Sequence, residues 1–227
     1  NSKRGVNKLM EQLYEKKREQ LLNDLSDMSE ISEDMLQNSI KALDEKDVDL
    51  AKKVINRDDV LDNYMITIEE EVSRLLAFEK PLVSDARFSI ALVNIANNLE
   101  RIGDHATNIA ETVLELKNEE YLEPLVMIPE LADIVSDMLD AVLESFITEN
   151  ADLAEAACRK DETADNINAQ LYEKSLKLIN ENVEGKKNIN QVISFINVAK
   201  SLERIGDHAT NIGEETIYIV TDKRVKY

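Results

Sequence analysis

The 227-residue chain contains no tryptophan, one cysteine, three prolines and five glycines, and only 4% of it is aromatic. So little proline and glycine leaves few places for tight turns, which argues against a strand-rich fold built on hairpins. The lone Cys158 rules out an internal disulfide and a cysteine-based metal site, and it suits a reducing compartment. No apolar run approaches the ~20 residues that cross a bilayer, and the segment Asn1 to Met10 lacks the apolar core of a secretory leader. A cytoplasmic location is the expectation. Basic residues are also scarce: 27 Lys and Arg stand against 46 Asp and Glu, a formal charge of −19. Phosphate backbones need a cationic face, so nucleic acid is not an expected partner. Cations or basic partners fit the acidic surplus instead. What is present is enough apolar material, 43% of residues, to build a core rather than a disordered chain.

The chain repeats itself. Leu99-Glu100-Arg101-Ile102-Gly103-Asp104-His105-Ala106-Thr107-Asn108-Ile109 recurs without change at Leu202 to Ile212, an offset of 103 residues. The same offset aligns Arg57-Asp58-Asp59 and Asp62-Asn63 with Lys160-Asp161-Glu162 and Asp165-Asn166, and Asp47 to Ala51 with Asn150 to Ala154. Asp34-Met35-Leu36 falls on Asp137-Met138-Leu139. One register held over so long a stretch means a duplicated structural unit, with the same topology expected in each copy.

Apolar residues recur at three- and four-residue spacing, as in Leu50, Val54, Ile55, Leu61, Met65, Ile68, Val72, Leu75 and Leu76, which is one face of a helix. Breaks in this pattern predict three helices per unit, at 7–44, 48–79 and 84–117, then 129–148, 151–183 and 188–220. Asp47 and Asn150 stand where N-caps are expected, because a short polar side chain can accept the free first-turn amides. Pro81 ends the second helix with Ser84 as cap for the third, Gly185 serves the second unit in the same way, and Pro124 and Pro129 mark the junction. Helices of this length span ~45 Å. The expected fold class is all-α, two tandem three-helix bundles of six long helices related by internal duplication, with units 1–120 and 121–227.

In the repeated segment Ile95, Leu99, Ile102, Ala106 and Ile109 form the core stripe. Glu100 and Asp104 lie four apart and share a face, with Cβ atoms ~6 Å apart. Asn108 and Glu111 continue near the same line. Asp58 and Asp62 make a second such pair on the preceding helix, with Asp59 beside them, and antiparallel packing can bring the pairs together. The repeat predicts the same of Glu203, Asp207, Asp161 and Asp165. Like charges four apart destabilise a helix by a few tenths of a kcal/mol per pair, so the patches call for neutralisation. Hard divalent or trivalent cations suit such oxygen-rich clusters. The plainer alternative is a solvated acidic face paired with Arg101 and Arg204, and spacing alone leaves both open. His105 and His208 follow the second carboxylate by one residue and so point about 100° away from it. An inter-helix hydrogen bond or a surface position is expected of them over ligation. Gly103 and Gly206, costly by ~1 kcal/mol inside a helix, suggest a close backbone approach or a crowded site. Cys158, among Ala154, Ala156 and Ala157, reads as a small core residue.

Two copies of Glu-Arg-Ile-Gly-Asp-His about a hundred residues apart, each preceded by an acidic pair on the previous helix, resemble the PhoU family of phosphate-regulation proteins. The resemblance covers nearly the whole chain. Pro81-Leu82-Val83-Ser84-Asp85-Ala86-Arg87 resembles the family's lead-in to the third helix, with Ala86 in place of the usual leucine, whereas the second unit reads Asn188-Ile189-Asn190 there. The resemblance implies two three-helix bundles and multinuclear metal clusters. Iron or zinc comes first, with manganese and magnesium as further candidates. The implied ligands are Asp58, Asp62, Glu100 and Asp104 in one cluster and Asp161, Asp165, Glu203 and Asp207 in the other, with Asp59 and Glu162 as auxiliaries. It also implies a negative regulator that restrains the phosphate ABC transporter, through its ATPase, and the sensor histidine kinase of phosphate starvation. Such a protein meets the membrane only through its partners, and a homodimer is among the assemblies it allows.

Catalysis has less support. Neither histidine belongs to a Ser/His/Asp or Cys/His arrangement, and the Glu-x-x-His signature of di-iron bundles is missing. No glycine loop cradles a phosphate. A carboxylate-bridged metalloenzyme and a metal-free acidic scaffold are the two rivals to an adaptor.

Overall fold

The structure is a computed structural model. It describes the backbone of residues 2–78, 83–121, 127–182 and 186–227, and the side chains of 12–77, 85–121, 127–179 and 189–227. Among the described residues every regular element is an α-helix: α1 (Ser2–Glu45), α2 (Val48–Ile55), α3 (Asp58–Phe78), α4 (Val83–Leu116), α5 (Met127–Ile147), α6 (Ala151–Cys158), α7 (Asp161–Asn182) and α8 (Lys186–Thr221). The periodicity put one continuous helix at 48–79 and another at 151–183. Each is in fact two segments meeting at a tight two-residue turn.

The cause of the break is the same in both copies. The Arg57 N–H bonds back only three residues, to the Val54 carbonyl at 2.9 Å, and the Val60 N–H bonds the Arg57 carbonyl at 3.0 Å. Lys160 to Ala157 at 3.0 Å and Thr163 to Lys160 at 2.9 Å repeat the pattern. Such tightened bonds bend the axis. They also place Asp58 and Asp161 in the first turns of α3 and α7, where the exposed amides favour negative charge.

Other punctuation follows the sequence. The Asp47 carboxylate accepts from the N–H groups of Asp49 (3.0 Å) and Leu50 (2.9 Å), and Asn150 accepts from Leu153 at 3.1 Å. Lys46 and Glu149, one residue earlier, take positive φ values of 56° and 51° to reverse the chain. Pro81, Pro124 and Gly185 lie outside the described residues, as does the side chain of Ser84. Pro129 sits in the first turn of α5, where its missing N–H costs nothing.

The α4 stripe predicted as core, Ile95, Leu99, Ile102, Ala106 and Ile109, is completely buried, and Leu202, Ile205, Ala209 and Ile212 match it in α8. Around α4 pack α1, α2 and α3; around α8 pack α5, α6 and α7. The two bundles join mainly along α4 and α8, with α1 touching α5 as well. Cys158 is 1% exposed, its thiol facing the Thr210 carbonyl, and burial pushes it up to about 12. No helix of the described residues is long and apolar enough to cross a membrane.

Candidate functional site

The bend after α2 and the start of α3 bring Asp58 and Asp62 against the Glu100 and Asp104 turn of α4. Asp58 is held above the usual carboxylate range, first by burial and then by the neighbouring charges of Asp104 and Asp62, although Thr107 donates to its Oδ1 at 3.3 Å. Glu100 is raised as well, by burial and by Asp104, with Asp62 and Asp58 adding to it and Arg101 opposing. The four side chains thus form one electrostatic cluster. In the second unit Asp161 is pushed up to about 6 by burial and then by Asp165, Asp207 and Glu203. In both units the two acidic pairs lie within reach of each other's charge. Asp59 and Glu162, the auxiliary candidates, are exposed at the rim.

The pairing with arginine is present too. Arg101 reaches Asp104 at 2.8 Å and Glu100 at 3.2 Å, and Arg204 reaches Asp207 at 3.0 Å. These arginines are half exposed, and one cation does not balance four carboxylates. Glu100 Oε2 is shut away from solvent without a hydrogen bond, even with the Arg101 ion pair beside it. Among the described residues no three His, Cys, Asp or Glu side chains converge closely enough to hold one ion as they stand. In kind the donors nonetheless fit a hard cation: all are carboxylate oxygens, and burial together with their own repulsion leaves members of both patches short of positive charge. Gly206 adds to this fit, since a Cβ there would stand 3.3 Å from Asp161 Oδ1. Gly103 differs from its twin; its missing Cβ makes room for Leu61.

The histidines turn away from the carboxylates, in keeping with their position one residue further on. The rings of His105 and His208 face each other across the α4–α8 seam with centroids 5.8 Å apart. His208 Nδ1 lies 2.9 Å from Asn98 Oδ1, the inter-helix hydrogen bond anticipated for it. Burial lowers both histidines, His208 to about 4, so both rings are neutral at pH 7. Glu111 and Asn108 line a cleft beside His105 and take no part in the carboxylate patch. That the two histidines would meet was not read from the sequence, though one signal existed: a repeated residue on a helix that packs against its own copy can end up facing itself.

The internal repeat extends to its ion pairs. Arg57 binds Asp34 at 2.9 Å and Lys160 binds Asp137 at 3.3 Å, each tying the bend to the first helix of its unit. The PhoU domain matches this chain twice, over residues 25–113 and 128–216. The chain belongs to the PhoU family. A PhoU homolog of Clostridium acetobutylicum, named a phosphate-specific transport system accessory protein, is 33% identical over 214 residues, covering 94% of this chain and 96% of the homolog. A Thermotoga maritima PhoU homolog with the same description is 33% identical over 217 residues, covering 94% and 91%. Among solved structures, PhoU from Pseudomonas aeruginosa superposes with a TM-score of 0.89 at 30% identity, covering 92% of this chain and all of that one. The phosphate transport system regulatory protein PhoU from Streptococcus pneumoniae gives 0.86 at 27% identity, with 94% and 100% covered. The two carboxylate patches and both bends fall within the PhoU-matched segments.

Proposed function

We propose that this PhoU protein is a negative regulator of phosphate uptake and of phosphate-starvation signalling. It acts in the cytoplasm as an adaptor on the ATPase of the phosphate ABC transporter and on the sensor histidine kinase, and it reaches the membrane only through them. The observation that carries this reading is the match of both units to PhoU, with relatives named as accessory to phosphate transport along nearly the full chain. The proposal takes the protein as two units, 1–120 and 121–227, and as a non-enzyme. Deleting its gene and following a phosphate-starvation reporter in phosphate-rich medium tests it. A reporter switched on without the gene supports the regulator; one that stays silent counts against it.

The same proposal assigns a metal cluster to each patch: iron or zinc first, manganese or magnesium otherwise. Asp58, Asp62, Glu100 and Asp104 would hold one cluster and Asp161, Asp165, Glu203 and Asp207 the other. Bound cations would neutralise the patches and cross-link the second and third helical arms of each unit. The chain's own residues prepare for this: the bends aim Asp58 and Asp161 at α4 and α8, and Gly206 keeps the space beside Asp161 clear. The support is the buried Glu100 oxygen, which has the Arg101 ion pair but no hydrogen bond, and the upward displacement of Asp58, Glu100 and Asp161.

A further inference from the structure

The α4–α8 seam is built on a repeat that meets its copy head to tail, so its two sides can be compared residue by residue. Asn94 pairs with Glu215 and Asn98 with Asn211 and His208; rising numbers in α4 meet falling numbers in α8, and the helices run antiparallel. On one side a polar network bridges the two helices, although Glu215 Oε2 is itself buried without a hydrogen bond. The Asn98 amide donates to the Asn94 carbonyl at 2.7 Å, which fixes its orientation and turns Oδ1 toward His208 Nδ1 (2.9 Å) and Asn211 Nδ2 (3.2 Å). The Asn94 amide donates to the buried Glu215 carboxylate at 3.0 Å, and Arg224 closes on the same oxygen at 2.6 Å.

The 103-residue offset carries that network to the other side, with Asn197, Ser201, His105, Asn108 and Thr112 in the corresponding places. Three positions are unchanged in type. Arg224, which closed on Glu215, falls on Tyr121, and the two acceptors have shortened: the Asn98 carboxamide has become the Ser201 hydroxyl, and the Glu215 carboxylate has become the Thr112 hydroxyl. Both replacements are too short to bridge. Among the described residues no hydrogen bond joins His105 to Ser201 or Asn197 to Thr112, and His105 Nδ1 is shut from solvent with no partner at all. In place of the network there is a cleft of about 470 Å³, with Lys200 and Arg204 on its α8 wall and Glu111 and Glu115 on its α4 wall.

We infer that this cleft binds a small zwitterion, an amino acid bearing a carboxylate or carboxamide side chain, whose acceptor oxygens take the place vacated by the Glu215 carboxylate, beside the exposed Asn197 amide. The missing carboxylate defines the acceptors, the cationic wall of Lys200 and Arg204 receives a carboxylate, and Glu111 with Glu115 receives the ammonium group. An anion without an amine leaves the Glu111 and Glu115 charges unanswered, so the cleft discriminates against it. Its place at the junction of the two bundles is where small-ligand sites commonly form.

Thermal unfolding of the full chain tests this with millimolar L-glutamate, L-glutamine, L-aspartate and L-asparagine, and with succinate and inorganic phosphate as amine-free probes. At least one amino acid is expected to raise the melting temperature by a few degrees while neither amine-free anion does. Ser201→Asn rebuilds part of the missing network where the cleft now lies, so it raises the melting temperature of the free protein and abolishes the ligand-induced rise. Lys200→Ala, at an exposed position, leaves the free protein unchanged and weakens binding about tenfold, the loss of one charge-assisted contact. The inference is overturned if no amino acid shifts the melt, if succinate or phosphate shifts it equally, or if the rise is undiminished in either variant. The outcome is independent of phosphate signalling; because Arg204 also pairs with Asp207 at 3.0 Å, the melts are run on protein stripped of metal.

Discussion

Glu33 tests the electrostatics of the molecule away from the carboxylate patches. It lies on α1, half buried and hydrogen-bonded to Asp140 of α5, with Glu30 and Asp34 close by. Burial first, and the Asp140 charge next, push its carboxyl from 4.5 up to about 7, while Asp140 is itself raised by burial and by Asp137, with Lys160 opposing. A raised acid favours the folded state in its protonated form, so this stability is complete below about pH 4.5 and is lost as pH climbs through about 7. A shift of that size is worth ~3 kcal/mol unscreened. With half the group open to solvent, ~1 kcal/mol is the realistic magnitude. Glu33→Gln mimics the protonated acid and keeps a donor for Asp140. In urea titrations followed by circular dichroism it should match the native protein near pH 5 and exceed it by ~1 kcal/mol near pH 8, a rise of ~2–4 °C in melting temperature. Loss of stability near pH 8, or an equal effect at both pH values, would refute the shared-proton account of this α1–α5 contact.

The patches can be tested by metal content. Native protein measured by elemental analysis should carry iron, zinc, manganese or magnesium. Asp58→Ala with Asp62→Ala should lose about half of it, Asp161→Ala with Asp165→Ala the other half, and equal content in all forms would remove the ligand assignment. The two helical glycines should differ in sign. Gly103→Ala drives a methyl onto fully buried Leu61, an overpacking cost of ~1–3 kcal/mol that outweighs the ~1 kcal/mol helical gain. Gly206→Ala crowds the Asp161 carboxylate, which can yield, and makes an ordinary 3.8 Å contact with Val135, so the metal-free protein should be level or stabilised by up to ~1 kcal/mol; chemical denaturation of both variants decides. Cys158 should resist a thiol reagent until the chain unfolds, because the thiolate is suppressed and the side chain covered. Rapid labelling in native buffer would contradict that.

The helical fold was legible because its signals are redundant: the same 3.6-residue stripe is written twice, and Asp47 and Asn150 announce a helix start at matched positions. The bends at 56–57 and 159–160 were not read. Asn-Arg and Arg-Lys carry no proline or glycine, the apolar stripe runs straight through, and only the acidic pair that follows hints at a new first turn. The pairing of acids on facing helices could be expected from i, i+4 spacing and antiparallel packing, whereas the burial of Glu100 Oε2 depends on neighbouring helices that no local pattern encodes. The differences that open the cleft, Ser201 against Asn98 and Thr112 against Glu215, stand in the sequence. They gain meaning only once α4 and α8 are known to lie antiparallel.

That antiparallel junction makes the molecule the single-chain counterpart of a symmetric dimer. Each of α4 and α8 is buried beyond one stripe, as Ala91, Leu92, Ile95, Ala96, Leu99, Ile102 and Ala106 illustrate in α4, because each serves as the inner helix of its own bundle and the floor for its twin. Fusing the halves freed them from identity. One side of the axis could keep its knit while the other was unpicked by two shortened side chains, an asymmetry that two identical subunits, obliged to mutate together, cannot reach.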